Sequence, residues 1–589
     1  MRLADWVVEF LEAHGIDHAF TVAGGGAAFL NDALRVAKKM RYIAHHHEQA
    51  AAMAAEAYAR VRTGIGLAVV TSGPGATNAI TGVAGAWLDH VPVIVLSGQV
   101  FSGQTIGTRA RGLRTLGVQE INIVDLVRPI TKYAVMVTDP LKIRYHMEAA
   151  LHFAREGRPG PSWLDLPADV QSAQIAPASL RGFNSVPLTE AAGLPITVAE
   201  VLRMLRDAKR PLVHVGQGVQ LAGAVSEFFE FVESCGLPFI TARNANDICA
   251  SDHPNYIGRA GTFAQRGANF AVQTCDLYIA IGTRLSLAQT GYNAKDYARK
   301  AKIVMVDIDA AELAKGTVRV DLAIQADAGE FLRELLRQRT ESVAWAGWRA
   351  RCKAFQTRYP VVSQAHREQS HHVNSYHFID VLSDLLKPDD VIVTDMGQSF
   401  QVTHQAFKMK AGQRLMTNCG LAAMGWGLPA AIGSCIGSRR RTICITGDGG
   451  LMFNVQELAT IAHHKLNAKI FVLNNRGYAT MRESQANAFG NYMGSDEGSG
   501  ISFPDFGELA DSCGILGVRI LNHAGLEKVI LLALETEGPV MAEIMMDPHQ
   551  ETMHAINRRD ADGAIRPTAI EDAFPFLDPA EVAEQLRID

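Results

Sequence analysis

Two short stretches carry residue types able to hold a charged ligand. One apolar run ends in Gly447-Asp448-Gly449-Gly450 and the next ends in Asn474-Asn475-Arg476-Gly477. Asp448, the amide oxygen of Asn475 and the main-chain carbonyl of Gly477 are hard oxygen donors, and Gly447, Gly449 and Gly450 let main-chain N–H groups approach an anion. A small divalent cation holding a diphosphate suits that set, because Mg²⁺ takes octahedral oxygen ligands from one or two protein groups plus phosphates. Gly-Asp-Gly and Asn-Asn also favour ordinary turns, so the chemistry needs support from elsewhere in the chain.

The elements that must position these residues recur along the chain. "HAFTV" before "AGGG", "GLAVVTS" before "GPGATN", "PVIVLSG", "PLVHVGQG", "DLYIAIG", "KIVMVDID", "DVIVTDMG", "RTICITGDG" and "KIFVLNN" are apolar, β-rich runs that end in glycine loops and feed amphipathic helices. Continuous Val/Ile runs suit strands buried on both faces, which predicts parallel sheets. The spacing places Asp448 and Asn475 at the carboxyl ends of two strands of one sheet, where open α/β sheets bind ligands. Proline- and serine-rich segments around Pro167–Pro195 and Arg358–Tyr376 interrupt the rhythm as linkers. The expected organisation is α/β, three doubly wound parallel-sheet domains over residues 1–170, 190–350 and 372–550, with a proline-containing tail over 551–589 that is either a strap on the surface or disordered.

Composition excludes several function classes. With 589 residues, 48% hydrophobic and 20% charged, the chain can build several cores. A formal charge of -5 recommends neither nucleic acid nor an anionic membrane as partner. The eight cysteines form no CxxC pair and read as buried thiols of a reducing compartment. The N-terminal helix carries Asp5, Glu9 and Glu12 where a signal peptide needs an uninterrupted apolar run, so a cytoplasmic protein is expected. The weakly polar run from Gly420 to Ser438 holds five glycines and a proline, which predicts a tightly packed loop and helix in place of a membrane span. His45, His46 and His47 are consecutive and cannot converge on one metal ion, although a proton relay beside Glu48 is open to them.

These motifs resemble the flavin-containing thiamine diphosphate (ThDP) enzymes of the acetohydroxyacid (acetolactate) synthase type. GDG followed by Asn-Asn looks like the ThDP motif, and "GLAAMGWGLPAAIG" is similar to the segment that cradles the aminopyrimidine. The resemblance implies a pyrimidine-binding, a central FAD-type and a diphosphate-binding domain. It makes Met424 the residue that bends the cofactor, with the backbones of Ala422 and Met424 on the pyrimidine and Asp448, Asn475 and Gly477 on Mg²⁺. "HHHEQAAAMAAEAYARVRTG" supplies Glu48 in a pattern resembling the family's "RHEQ", followed by Gly73-Pro74-Gly75 and Asn78 in family order. Glu48 is then the carboxyl that hydrogen-bonds N1' of the pyrimidine and favours the imino tautomer that deprotonates C2. Gln119 and Lys132 persist from the family's catalytic set. In the middle block, Gly216, Gly218, Arg259, Gly261, Thr262, Arg284, Asp307, Asp309 and Asp327 are implied around FAD, whose role in carboligation is non-redox. The family also implies a homodimer or homotetramer with active sites between subunits.

The departures lie at positions that choose the second substrate. The family's "GARFDDRVTG" aligns with "GTRLSLAQTG", placing Ala288 where an Arg holds the acceptor carboxylate; the Trp of "QWQ" falls on Ser484, beside Met481; and Phe-Gln-Glu becomes Val118-Gln119-Glu120. A charge-assisted contact is worth roughly 1.5 to 3 kcal/mol, so its loss weakens selection for an acid about tenfold or more. The expectation is a pyruvate donor with a bulky non-acid acceptor, as in the branched-sugar (yersiniose-type) carboligases, which pass an acetyl unit to a CDP-linked 4-ketosugar and form a tertiary alcohol. An acetolactate synthase, a pyruvate oxidase, a cyclic-diketone hydrolase and a simple decarboxylase share the scaffold. A non-catalytic homologue fits poorly with Glu48, Asp448, Asn475 and Met424 all present.

Overall fold

The computed structural model describes residues 1–108, 112–185, 193–339, 345–553, 556–559 and 564–588. Three six-stranded sheets, parallel throughout, follow one another along the chain. The first contains β1 (His18–Thr21), β2 (Arg41–Ala44), β3 (Gly66–Val70), β4 (Val93–Gln99), β5 (Tyr133–Met136) and β6 (Ser162–Pro167), in the order β2-β1-β3-β4-β6-β5. The second contains β7 (Pro211–Val215), β8 (Phe239–Thr241), β9 (Tyr256–Arg259), β10 (Leu277–Ile281), β11 (Lys302–Asp307) and β12 (Leu322–Gln325), in the order β12-β11-β10-β7-β8-β9. The third contains β13 (Val391–Thr394), β14 (Arg414–Thr417), β15 (Thr442–Gly447), β16 (Ala468–Asn474), β17 (Leu516–Ile520) and β18 (Val540–Met545), in the order β14-β13-β15-β16-β18-β17. β3, β4, β10, β16 and most of β15 are buried along their length, as continuous apolar runs require when helices cover both faces.

The first and third sheets share one strand order, and the second has the dinucleotide-fold order read from its far edge, β9-β8-β7-β10-β11-β12. Each therefore opens a crevice where the order reverses: between β1 and β3, between β7 and β10, and between β13 and β15. The expected start of the middle unit, at residue 190, lies outside the described residues.

The first and third sheets are joined through equivalent helices. The helix after β2, Glu48–Arg62, packs against the helix Gly427–Ser438 that follows β14. Small residues permit this. Ala50 to Ala55 and Ala57 are almost fully buried, and a Cβ on Gly433 would stand 2.1 Å from the Ala54 carbonyl oxygen. Close backbone approach, more than intrinsic helix propensity, explains why so many glycines are kept in a helix. The run from Gly420 is thus the loop and helix its glycines predict, and among the described residues no helix is long and apolar enough to cross a membrane.

A buried polar knot ties the three domains where that helix pair ends. Arg60 donates to Glu56 (2.5 Å) and Asp89 (2.8 Å), Trp426 donates its indole N–H to Glu56 (2.8 Å), and Asp89 accepts from Asn244 and from the main-chain N–H of Gly420 (both 2.9 Å). The tail crosses the middle domain: Arg266 donates to the carbonyls of Ala573 and Pro575, Asn269 to that of Ile570, and Gln273 and Arg299 to Glu571. All eight cysteines are free, six of them buried.

Candidate active site

The crevice of the third sheet gathers the oxygen donors. Asp448, first residue after β15, is buried; its Oδ1 accepts from the N–H of Gly449 (2.7 Å) and its Oδ2 from that of Gly477 (3.0 Å). Burial pushes its carboxyl up to about 6, against the pull of those two amides. Gly477, at φ 157°, lies so close to Ser495 and Arg482 that a Cβ would stand 2.2 Å from each. Sequence reasoning missed two partners. Arg482 is buried and donates to the side-chain oxygen (2.8 Å) and the carbonyl (3.0 Å) of Asn475 and to the carbonyl of Pro548 (2.9 Å), which fixes the Asn-Asn turn. Asp395, first residue after β13, accepts from the N–H groups of Met396, Gly425 and Gly427 and so anchors the loop carrying Ala422 and Met424. The signal was present in "VIVTDMG", an apolar strand ending in Asp like the one before Asp448.

A divalent cation fits this donor set by its chemistry: the Asp448 carboxylate and the Asn475 amide oxygen are hard ligands on neighbouring strand ends, with lone pairs beyond those used by Gly449, Gly477 and Arg482. Among the described residues no group of three His, Cys, Asp or Glu is placed to hold a metal. The His45–His47 run likewise serves the fold. His45 bonds Glu457 (2.8 Å), which also accepts from the N–H of His46, while His47 caps the helix Glu48–Arg62 by accepting from the N–H of Gln49.

The crevice of the first sheet is neutral and glycine-lined. Gly24 and Gly26 press against Thr71 and Ser72, and a Cβ on either would meet a side chain at 2.5 Å. Glu48 is buried at the start of its helix. Asn78 donates to its Oε2 (3.0 Å), and a Cβ on Gly75 would lie 3.2 Å from its Oε1. Gln119, at φ 63°, brings its carbonyl oxygen to within 2.4 Å of where a Cβ of Gly73 would be. Glu48, Gly73, Pro74, Gly75, Asn78 and Gln119 therefore form one cluster. Lys132 is not part of it: its ammonium donates to the carbonyl of Glu156 on the wall of a cavity between the first and second domains.

The crevice of the second sheet opens into a cavity of about 450 Å³ shared with the first domain. Gly218, Arg284, Asp307 and Asp327 line it, as does Ala288. Gly216 instead packs on Gly282, and Asp309 pairs with Arg158 (2.6 Å) beside the neighbouring cavity. Gly261 bonds Asn269 (2.8 Å), Thr262 donates to the Ala288 carbonyl (2.8 Å), and Arg259 reaches the carbonyl of His404 in the third domain (2.8 Å). Acids at the ends of β11 and β12 face arginines from two domains, a division suited to ribose hydroxyls and a pyrophosphate, so a flavin dinucleotide fits the strand order and charges present. In the expected acceptor region, Val118 and Ser484 are exposed and Met481 is half exposed.

Glycine-lined and acidic crevices on two sheets of one topology, flanking a dinucleotide-type domain, define an α/β enzyme built to hold a diphosphate cofactor. The chain matches the thiamine pyrophosphate enzyme N-terminal TPP binding domain over residues 1–124, the central domain over 198–335 and the C-terminal TPP binding domain over 395–544. It is 34% identical to a probable acetolactate synthase large subunit of Methanocaldococcus jannaschii, across 93% of this chain and 92% of that one. It is 33% identical to the acetolactate synthase isozyme 2 large subunit of Escherichia coli (93% and 96%) and 34% identical to acetolactate synthase 1 of Zea mays (96% and 88%). The chain belongs to the thiamine pyrophosphate enzyme family and is acetolactate synthase-like over nearly its whole length.

Proposed function

We propose that the chain is a thiamine diphosphate-dependent carboligase that decarboxylates pyruvate and passes the two-carbon acetyl unit to a non-acid carbonyl acceptor, a ketone of the 4-ketosugar-nucleotide type, giving a tertiary alcohol. The observation that carries the first half is the oxygen set of Asp448, Asn475 and Gly477 at one crevice together with a buried Glu48 at another. When bound, the cofactor supplies the electron sink for the carbanion left by loss of CO₂. Asp448, Asn475 and the Gly477 carbonyl would hold Mg²⁺ beside the diphosphate. Glu48 holds a proton at the pyrimidine nitrogen: Asn78 fixes one carboxyl oxygen and leaves the other directed past Gly75. Gly24, Gly26 and Gly73 let Thr71, Ser72 and the Gln119 carbonyl pack closely around the crevice. The loop from Asn418 to Met424, hung from Asp89 and Asp395, sets the position of Met424. FAD is proposed for the cavity of the second domain, in a non-redox role. A homodimer or homotetramer would bring Glu48 of one subunit to the oxygen set of another and would cover exposed Val118, Phe489 and Met493.

The acceptor proposal rests on three side chains: Ala288 carries no charge, Ser484 no ring, and Val118 leaves its surroundings open. A second reading, acetolactate synthase acting on 2-keto acids, is favoured by the near full-length similarity to such enzymes. A competition separates them. Protein with ThDP, Mg²⁺ and pyruvate is offered excess 2-ketobutyrate and a cyclic ketone together, and products are separated and identified. The tertiary alcohol is expected to dominate; acetohydroxy acids as the main product would establish the second reading instead.

A further inference from the structure

Residues 454–460 follow the short helix Asp448–Met452 of the third domain and reach across to the first. Asn454, Glu457 and Thr460 are all buried, although nothing in the proposed reaction uses them. Asn454 donates to the carbonyl of Gly425 (2.7 Å) and so holds the loop that carries Met424. Glu457, whose side chain is 0% exposed, holds the first domain. Its Oε2 accepts from Nδ1 of His45 (2.8 Å) and from the Thr460 hydroxyl (2.7 Å), and its Oε1 accepts from the N–H of His46 (3.0 Å). Burial works to raise this carboxyl, but its hydrogen bond and electrostatic interaction with His45, the Thr460 hydroxyl and the His46 N–H outweigh it and keep the group below its usual range. The buried carboxylate is therefore held by three donors, two of them on consecutive residues of another domain.

Those two residues lead directly into Glu48. His45 follows β2, where its N–H bonds the Thr21 carbonyl at the end of β1 (2.8 Å), and His47 caps the helix that begins at Glu48. Among the described residues Nε2 of His45 is buried without a partner, so the ring takes its hydrogen-bonded orientation through Nδ1 and Glu457. Joining two domains does not need this arrangement, since an apolar contact would serve at less desolvation cost. A carboxylate that takes a side-chain donor and a main-chain donor from one turn fixes both the position and the angle of that turn, and a small misplacement of a group that handles a proton is costly in rate. On the reading above, in which Glu48 holds a proton at the pyrimidine nitrogen, we propose that Glu457 is a positioning residue for Glu48: by gripping the His45 ring and the His46 N–H it fixes the turn from which Glu48 projects and keeps that carboxyl in place beside Asn78 and Gly75. The domain that bears the oxygen set thereby also places the carboxyl of the other crevice.

The test uses the full-length protein with ThDP and Mg²⁺ and reads four quantities: exchange of the cofactor's C2 proton with heavy water, ThDP affinity by calorimetry, the thermal midpoint, and kcat and KM for pyruvate. Glu457→Gln leaves one acceptor oxygen where two are used. Its C2 exchange and its kcat should both fall about ten- to a hundredfold, the loss of a charge-assisted contact, while ThDP affinity and KM keep their wild-type values. His45→Leu should show the same split, and His45→Asn, which keeps an N–H donor near the place of Nδ1, should recover most of what His45→Leu loses. A lower midpoint with undiminished exchange would make Glu457 a domain joint, and weaker ThDP binding with normal exchange at saturation would make it part of the cofactor seat; either overturns the proposal. Glu48→Gln is measured beside these variants. If it exchanges C2 as fast as the wild type, the reading of Glu48 fails and the positioning role falls with it; if it is slow while Glu457→Gln is normal, the positioning role alone fails. Should Glu457→Gln not fold, the two His45 variants decide by the same readings: slow exchange in His45→Leu recovered in His45→Asn supports the role, and wild-type exchange in both overturns it.

Discussion

The first and third sheets have the same strand order and the same switch point, yet their crevices are chemically opposite. After β1 and β3 the chain places Val22 and Thr71, with glycines beside them; after β13 and β15 it places Asp395 and Asp448. The helix after β2 begins with a buried glutamate, whereas its counterpart after β14 carries no charge at all. One topology thus carries a neutral slot with a single buried carboxyl and, separately, a crevice with buried carboxyls and hard oxygen donors. Division of labour between two copies of a scaffold asks little of the fold and much of the few residues just past the strand ends.

The sharpest way to break that division is to remove Glu48. Glu48→Gln keeps the shape and the Asn78 contact but cannot hold and return a proton, so turnover should fall by about 10²- to 10⁴-fold while ThDP still binds. Calorimetric ThDP titration beside steady-state rates checks this, and a Glu48→Gln enzyme of normal rate would remove Glu48 from the chemistry. The mirror experiment is Asp448→Asn. The amide keeps one acceptor oxygen but loses the charge, so Mg²⁺-dependent ThDP affinity should drop by about ten- to a hundredfold, with the wild-type rate approached at high Mg²⁺. Equal ThDP affinity in the two proteins would count against a metal at Asp448.

The contact between the two halves is the next place to probe. Gly433→Val puts a branched side chain where a Cβ alone would stand 2.1 Å from the Ala54 carbonyl. The helices must part, at a cost of about 1 to 3 kcal/mol. Chemical denaturation should show that loss, and Gly425→Ala, at φ 86° against Phe453, should show one of similar size for reasons of backbone strain.

Much of this was legible before any coordinates. The sheets follow from apolar runs too continuous for half-exposed strands, Asp448 and Asn475 are placed by residue type at strand ends, and Glu48 is reached only through the resemblance to the family's glutamate pattern. What escaped were residues that act through their surroundings. Arg482 and Glu457 look like surface charges in one dimension and are buried in three, because their partners lie on other strands or another domain. Lys132 lies apart from the other expected catalytic residues within one subunit, its ammonium donating to the Glu156 carbonyl.

The smallest predicted effect also sharpens the comparison most finely. The fourth residue of β6 is Asp165 and the fourth residue of β18, in the corresponding place, is Glu543, and both are buried. Glu543 has a cation, the Arg519 guanidinium (2.5 Å); Asp165 has only Ser97 (2.6 Å) and Gln99 (3.1 Å). Burial without a charge partner pushes Asp165 up to about 7. Since its folded value lies above the unfolded one of 3.8, the folded state holds the proton longer. Its stabilising contribution is full below about pH 4 and is lost as pH rises to about 7, at no more than about 1.4 kcal/mol per pH unit. In Asp165→Asn that slope should vanish, so the stability difference between wild type and variant, followed by urea denaturation, should move steadily against the wild type from pH 5 to 7. Parallel pH profiles for Asp165→Asn and wild type would mean that Asp165 is ionised in the core.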